Sequence, residues 1–265
     1  MKTIVMDAGH GHNTAGKRCA KELDPGQTRE HDLNDRIADR VEAYLAAYDC
    51  RVLRTDDTTG VRDIGLSARV KAANAVKADI FISIHHNAGV KLSASGGTVV
   101  YHWGNATRAL QARKLYQAVI DKTGLIGNRS STVVKYGYYV LKRTDMPAFL
   151  LENGFMDSTV DVPIILTKEH ADKTAQGIVS FLVEAVSLKP KTAVAKPQTE
   201  IPDFYPAYRG AKTTLYTALT SMEIDGSFAH RRKIAIANHI SGYVGTAAQN
   251  TGLYNLLVAG LLKKA

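Results

Sequence analysis

The residues of this chain that could do chemistry sit where apolar runs turn polar. Ala78-Asp79-Ile80-Phe81-Ile82 leads into Ser83-Ile84-His85-His86-Asn87; Thr3–Met6 leads into Asp7-Ala8-Gly9-His10; Ala148–Leu151 leads into Glu152-Asn153-Gly154. Short, β-branched apolar runs read as buried strands. In open α/β sheets, ligand sites lie beyond the carboxyl ends of the strands. His10, Glu30 and His85 offer two imidazoles and one carboxylate, the donor set of a catalytic zinc site that leaves its fourth position to water. A water held there has a pKa near ~7. A second carboxylate, outside the coordination sphere, must then take and return the proton. Glu152 suits that task, because a carboxylate at the end of a buried strand needs a partner or a function.

Singly, these residues are ordinary. Glu30 alone is a helix-start carboxylate favoured by the dipole. His85 and His86 point to opposite faces of a strand, so only one of them reaches an ion, and the pattern alone does not choose. His12, His31 and His102 read as bystanders.

The elements that must position these groups follow from periodicity. Lys2–Met6 reads as a strand, followed by a polar, glycine-rich loop to about residue 28. A helix is expected from Glu30 to about Tyr48, with Leu33, Ile37, Val41, Tyr44, Leu45 and Tyr48 on one face. Arg51–Arg54 is a short strand, Leu66–Val76 a helix, Ile80–Ile84 a buried strand and Thr98–Trp103 another. Asn105 should cap a helix from Ala106 to Lys122 that ends at Gly124. Tyr138–Leu141 and Ala148–Leu151 read as strands, and Lys168–Val186 as a last helix. Strands alternating with helices imply an α/β fold, a mainly parallel twisted sheet with helices on both faces.

The pattern stops near Ser187. Residues 187–202 hold three prolines and three lysines and read as an extended linker. Residues 203–265 resume with short helical patterns split by glycines, so the expected organisation is a catalytic domain at 1–186, a linker at 187–202 and a small, mainly helical or α+β domain at 203–265.

The formal charge of +9 divides as +3, +2 and +4 over these three segments, which makes the last the most basic domain for its size. Such a balance suits an anionic polymer. Arg231-Arg232-Lys233 is a short cluster without a nucleic-acid-binding motif, so no nucleic-acid partner is expected. No apolar run is long enough for a membrane span. No apolar leader follows Met1, so synthesis without a signal peptide is expected. Cys19 and Cys50 form no disulfide framework and are expected to be unpaired.

Residues 2–186 resemble the zinc-dependent N-acetylmuramoyl-L-alanine amidases of the type 3 amidase family. The likeness rests on four motifs in order: Asp7-Ala-Gly-His10-Gly; Glu30-x-x-x-Asn34; Leu66-Ser-Ala-Arg69-x-x-x-x-Asn74 followed by Ala78-Asp-Ile-Phe-Ile-Ser-Ile-His85-x-Asn87-Ala; and Tyr139-Val-Leu with Pro147-Ala-Phe-Leu-Leu-Glu152-x-Gly154-Phe155. Departures from the family pattern are His12, where a second glycine is usual, His86, where a small residue is common, and Asn153 after the glutamate.

The resemblance implies that His10, Glu30 and His85 ligate Zn2+ and that Glu152 is the catalytic acid/base. The bond cut would join N-acetylmuramic acid to L-alanine in peptidoglycan. Asn87 would either donate to the developing oxyanion or cap its strand. Ile240-Ser-Gly-Tyr-Val-Gly-Thr-Ala-Ala-Gln-Asn resembles wall-binding segments of phage lysins of Gram-positive hosts. A secondary cell-wall polymer is therefore an expected partner, with Tyr205, Tyr208, Tyr216, Tyr243 and Tyr254 as either sugar-stacking faces or core. The layout implies a lysin made in the host cytoplasm that reaches the wall once the membrane is permeabilised. The alternatives are a zinc peptidase cutting the stem peptide and a host autolysin of the same family.

Overall fold

The computed structural model describes residues 1–191 and 204–265. The chain divides into two compact units between residues 192 and 193. In the first, the order is β1 (Lys2–Ala8), α1 (Glu30–Leu45), β2 (Cys50–Arg54), α2 (Leu66–Ala75), β3 (Ile80–Asn87), β4 (Thr98–His102), α3 (Ala106–Thr123), β5 (Val133–Lys135), α4 (Tyr139–Arg143), β6 (Ala148–Phe155), α5 (Val162–Ile165) and α6 (Lys168–Ala185). The six strands form one sheet in the order β2-β1-β3-β6-β4-β5. Only the β4/β6 pairing is antiparallel.

Strand alternation divides the apolar residues between two cores. Ile4, Met6, Ile80, Ile82, Ile84, Phe149 and Leu151 face α1, α3 and α6, where they meet Ile37, Val41, Leu115, Val119, Ile178 and Leu182. Val5, Phe81, Ala148 and Leu150 face the other way, onto Val70 and Ala73 of α2 and Val140 and Leu141 of α4. Each fully buried aliphatic side chain here contributes roughly 1.5–3 kcal/mol by leaving water. Leaving the thinner α2/α4 layer on the second face gives room for a cleft there.

Helix ends follow their local chemistry. Asn105 accepts from the Arg108 N–H at the start of α3, and Gly124 closes it in the left-handed region at φ 69°, donating to Ile120 O. Thr167 caps α6 in the same way through the His170 N–H.

Two elements differ from the sequence reading. Tyr138–Leu141, expected as a strand, enters the short helix α4. Its adjacent apolar pair Val140 and Leu141 packs on one side of a single turn, closed by Thr144 Oγ1 donating to Val140 O at 2.7 Å. A four-residue apolar run carries too little periodicity to separate strand from helix. Edge strand β5, not anticipated, pairs Val133–Lys135 with Val100–His102. The start of the expected linker also belongs to the first unit. Leu188 is buried in the larger core, Pro190 bridges Tyr48, and Lys191 N donates to Ala47 O. The rest of that segment, from residue 192 on, lies outside the described residues.

The second unit is helical: α7 (Leu215–Ser221), α8 (Phe228–Ala237) and α9 (Ala247–Ala259). Leu215, Leu219, Ile234, Leu253, Leu257 and Leu262 form its core, with Tyr205 and Tyr243 buried among them. Thr246 and Gln249 make a reciprocal capping box at the start of α9. Cys19 and Cys50 are both free, and no helix among the described residues is long and apolar enough to cross a membrane.

Candidate metal centre

The carboxyl ends of β1, β3 and β6 open onto a cleft of about 660 Å3, lined among others by His10, His85 and Glu152. His10 stands in the loop after β1 with φ 65°, a left-handed conformation uncommon for a residue with a Cβ. Gly9 before it is required by close approach: a Cβ there would lie 2.0 Å from His85 Cε1. Glu30 is the first residue of α1, whose N-terminus brings the carboxylate over the strand ends. His85 and Glu152 are Cα partners across β3 and β6.

These placements bring three donors together. Glu30 is wholly buried, and its Oε1 lies 3.0 Å from His85 Nδ1 and 3.3 Å from His10 Nε2. The His86 backbone N–H donates to the same oxygen at 3.2 Å. The rings of His10 and His85 meet edge to face at 4.9 Å. One ligand atom from each of His10, Glu30 and His85 lies within 4.8 Å of the others. Glu30 Oε2 is buried without a hydrogen-bond partner, and the Lys17 ammonium is 3.5 Å away. Two imidazoles and a carboxylate with an orphaned buried oxygen fit a divalent metal ion.

The electrostatics agree with a site that expects positive charge. Burial works against the charged form of Glu30, but the flanking His10 and His85 hold its carboxyl well below the usual range. Burial likewise opposes charge on His85, and Glu30 outweighs it, raising the imidazole. Glu152 is the opposite case. Burial pushes its carboxyl up to about 7; His85 and Lys17 pull against this, and Glu30 adds to it. Its Oε2 has no hydrogen-bond partner. A carboxylic acid poised there exchanges protons near neutral pH.

A supporting layer lies beneath, and the sequence reading assigned it no role. Arg69 of α2 is buried at 1% exposure. Its guanidinium donates to Asp7, to Ala8 O at 2.9 Å, to His10 O at 3.2 Å and to Asp63 at 3.0 Å, so it ties the end of β1 to the His10 loop. Asp7 also accepts from Ser83 Oγ at 2.7 Å and from Thr55 Oγ1 at 2.9 Å. Asn34, one turn after Glu30, donates to Gly9 O at 3.1 Å, and its Oδ1 lies 2.8 Å from His86 Nδ1. With the amide oriented so, His86 carries its proton on Nδ1 and donates it. The His86 ring therefore meets α1, although the residue also borders the cleft. Asn153 Nδ2 donates to His85 O at 3.0 Å. Asn87 lines the cleft, and its Oδ1 accepts from the Ala88 N–H, as a strand cap does.

The remaining histidines stand apart. His12 pairs with Asp32 and His102 is buried on β4. His31 approaches Asp35 and Asp56 in a second acidic group, but Arg54 is bonded to both carboxylates and supplies the cation there.

Comparison with known proteins adds an independent line. A family model described as N-acetylmuramoyl-L-alanine amidase matches residues 4–184. The endolysin of Bacillus phage SPP1 is 28% identical over 211 residues, covering 75% of this chain and 71% of that protein. The probable cell wall amidase LytH of Staphylococcus aureus is 33% identical over 183 residues, covering 68% of this chain and 57% of LytH. Among solved structures, the catalytic domain of CwlV, an N-acetylmuramoyl-L-alanine amidase from Bacillus (Paenibacillus) polymyxa var. colistinus, superposes with a TM-score of 0.63 at 28% identity. That match covers 71% of this chain and all of the CwlV domain.

Proposed function

The chain belongs to the N-acetylmuramoyl-L-alanine amidase family, and we propose that it is a zinc enzyme of peptidoglycan hydrolysis in which His10, Glu30 and His85 hold the ion and Glu152 is the acid/base. The reading rests on one observation: a buried two-imidazole, one-carboxylate cluster with Glu152 in register beside it on the same cleft. Zinc at such a site supplies a Lewis acid for the lactyl carbonyl and makes water a nucleophile at neutral pH. Glu152 accepts the proton of the attacking water as its oxygen adds to the carbonyl carbon. It then delivers that proton to the alanine nitrogen as the C–N bond breaks. Burial, which lifts the Glu152 carboxyl to about 7, suits it to take up the proton of the water and to give it up again. Arg69, Asp7 and Asn34 keep the His10 loop and the end of β1 in place through the bonds described above.

The likeness to a phage endolysin over 71% of its length, with a separate helical unit after the amidase unit, supports a phage lysin that meets the wall after release from the host cytoplasm. The helical unit would hold the enzyme on its insoluble substrate and so raise the effective concentration of the catalytic unit. The higher identity to LytH favours, as a second reading, a wall amidase of the host itself.

The test uses purified Gram-positive walls with and without a chelator. New L-alanine N-termini, lost on chelation and restored by zinc, with no new reducing ends, are the expected products. Other N-terminal residues would place the cut inside the stem peptide and make the chain a peptidase.

A further inference from the structure

The second unit has a cleft of its own, about 590 Å3, between the segment 212–214 and helices α7, α8 and α9. Its lining is of one electrostatic kind. Lys212 and Arg231 are there, with the amides of Asn250 and Asn255 and the rings of Tyr216 and Tyr254, and no carboxylate. The five tyrosines of this unit divide accordingly. Tyr205 and Tyr243 are core; Tyr208 and Tyr254 pack on each other with centroids 6.1 Å apart; Tyr216 is 55% exposed on the cleft wall.

Arg231 is held ready rather than loose. Its Nε donates to Gly226 O at 2.9 Å, and its Nη1 donates to Asn250 Oδ1 at 2.8 Å and Tyr243 Oη at 3.3 Å. These bonds fix the guanidinium plane and leave Nη2 for a ligand. A prepositioned guanidinium loses little entropy on binding an anion and matches the oxygens of a phosphate or carboxylate. An exposed tyrosine ring on the same cleft as the Asn255 amide suits a sugar, which presents an apolar C–H face and polar edges. The unit carries seven Lys+Arg and three Asp+Glu over residues 203–265, so the long-range field favours the same ligand.

We propose that this cleft binds an anionic glycopolymer of the cell wall, with a sugar ring on Tyr216 and a phosphate or carboxylate on Arg231 and Lys212. The proposal rests on the wall-binding reading of this unit and names its site and ligand class. A repeating anion beside each sugar, as in a secondary wall polymer, satisfies the aromatic and cationic walls together.

The experiment uses the full chain carrying Glu152→Gln, so that walls stay intact, and measures sedimentation with purified Gram-positive walls. The double change Lys212→Met with Tyr216→Ala removes two exposed side chains and should leave melting unchanged. It should weaken wall binding by about tenfold or more, as loss of central contacts does. Arg231→Lys, which keeps the charge and loses the fork, should weaken it too. In the chain with Glu152 intact, the double change should leave amine release from a soluble muramyl-peptide as it was. Walls stripped of their secondary polymer by hydrofluoric acid, which cuts the phosphodiester that anchors it whether its own anion is phosphate or carboxylate, should bind poorly, and the purified polymer should compete. Unchanged binding by the folded double variant overturns the proposal. So does undiminished binding of the parent to stripped walls, which would make peptidoglycan itself the ligand. A chain ending at Lys191, whose cores are complete without later residues, separates the two levels. If it binds walls as well as the full chain does, the wall-binding reading of the unit fails, whatever the cleft variants do.

Discussion

Glu152 and His85 stand opposite each other in the parallel register of β6 and β3, with both side chains on the cleft face of the sheet. The pairing places a carboxylic acid lifted by burial to about 7 next to an imidazole raised by Glu30. Parallel pairing has no freedom to slip here without turning Phe149 and Leu151 out of the core. Glu152, the acid/base of the proposed mechanism, is therefore fixed to the donor cluster by the backbone itself.

On the proposed mechanism, replacing Glu152 by Gln should keep the fold and the capacity to hold a metal and remove the proton carrier. The expected loss in turnover is on the order of 10²–10⁴, the usual contribution of a positioned acid/base. Amine release from walls, measured together with metal content by elemental analysis, checks this. Turnover within a few fold of the parent at equal metal content would remove Glu152 from the mechanism.

Glu30 should behave differently. It is wholly buried between two imidazoles, so Glu30→Gln keeps the shape and removes the charge that both histidines face. Metal content should fall sharply, and added zinc should restore activity only at much higher concentration than the parent needs. Dialysis against zinc buffers followed by elemental analysis reads this directly; parent-like retention would exclude Glu30 from the ligand set.

How far the sequence could be read depends on the range of each signal. The placement of His10, His85 and Glu152 at strand ends was legible because each follows a run whose apolar character is local. The strand ends pointed to the cleft, and the helices α1, α3 and α6 were visible in their spacing, α3 also in its caps. Arg69 was not legible as a buried residue. In the sequence it is one cation on α2 beside Val70, and its burial depends on Asp7, a partner 62 residues away across the sheet. Helix α4 was misread because Val140 and Leu141 are equally at home in a strand. Edge strand β5 was missed because three residues give no period; its β-branched run Thr132-Val133-Val134 was the only cue.

The Arg69–Asp7 pair gives a stability prediction. Arg69→Met leaves Asp7 buried beneath the site without its counter-charge, at a cost of about 3–5 kcal/mol. The double variant with Asp7→Asn should recover a good part of that, since no buried charge then remains. Urea midpoints for the two single variants and the double one form the cycle; additive losses would deny the coupling. The pair also has a pH signature. Burial raises the Asp7 carboxyl, but Arg69 and the Ser83 hydroxyl overcome this and hold it below its ordinary value. The folded state therefore binds this proton more weakly than the unfolded chain. Its stabilisation is complete above the unfolded pKa of about 3.9 and fades as pH falls below it.

His170 makes the opposite titration visible in a milder range. It is 4% exposed on α6, with its Nε2 3.3 Å from Asn153 O and its Nδ1 without a partner. Burial lowers its imidazole to about 4; the bond to Asn153 O resists this and Lys173 reinforces it. An unfolded histidine protonates near ~6.5. Above that pH both states are neutral and His170 has no pH effect. As pH falls from there toward 4, the unfolded chain takes up a proton that the folded chain refuses, and stability drops by up to about 3 kcal/mol. The measurement is the urea midpoint at pH 7 and pH 4.5 for the parent and His170→Gln, both with metal removed by chelation. The other ionisable groups are the same in the two chains, so their contribution cancels in the difference. The parent should lose more stability on acidification than His170→Gln does. An equal loss in both chains would mean that His170 takes up its proton in the fold as readily as in the unfolded chain, so that burial does not hold it neutral.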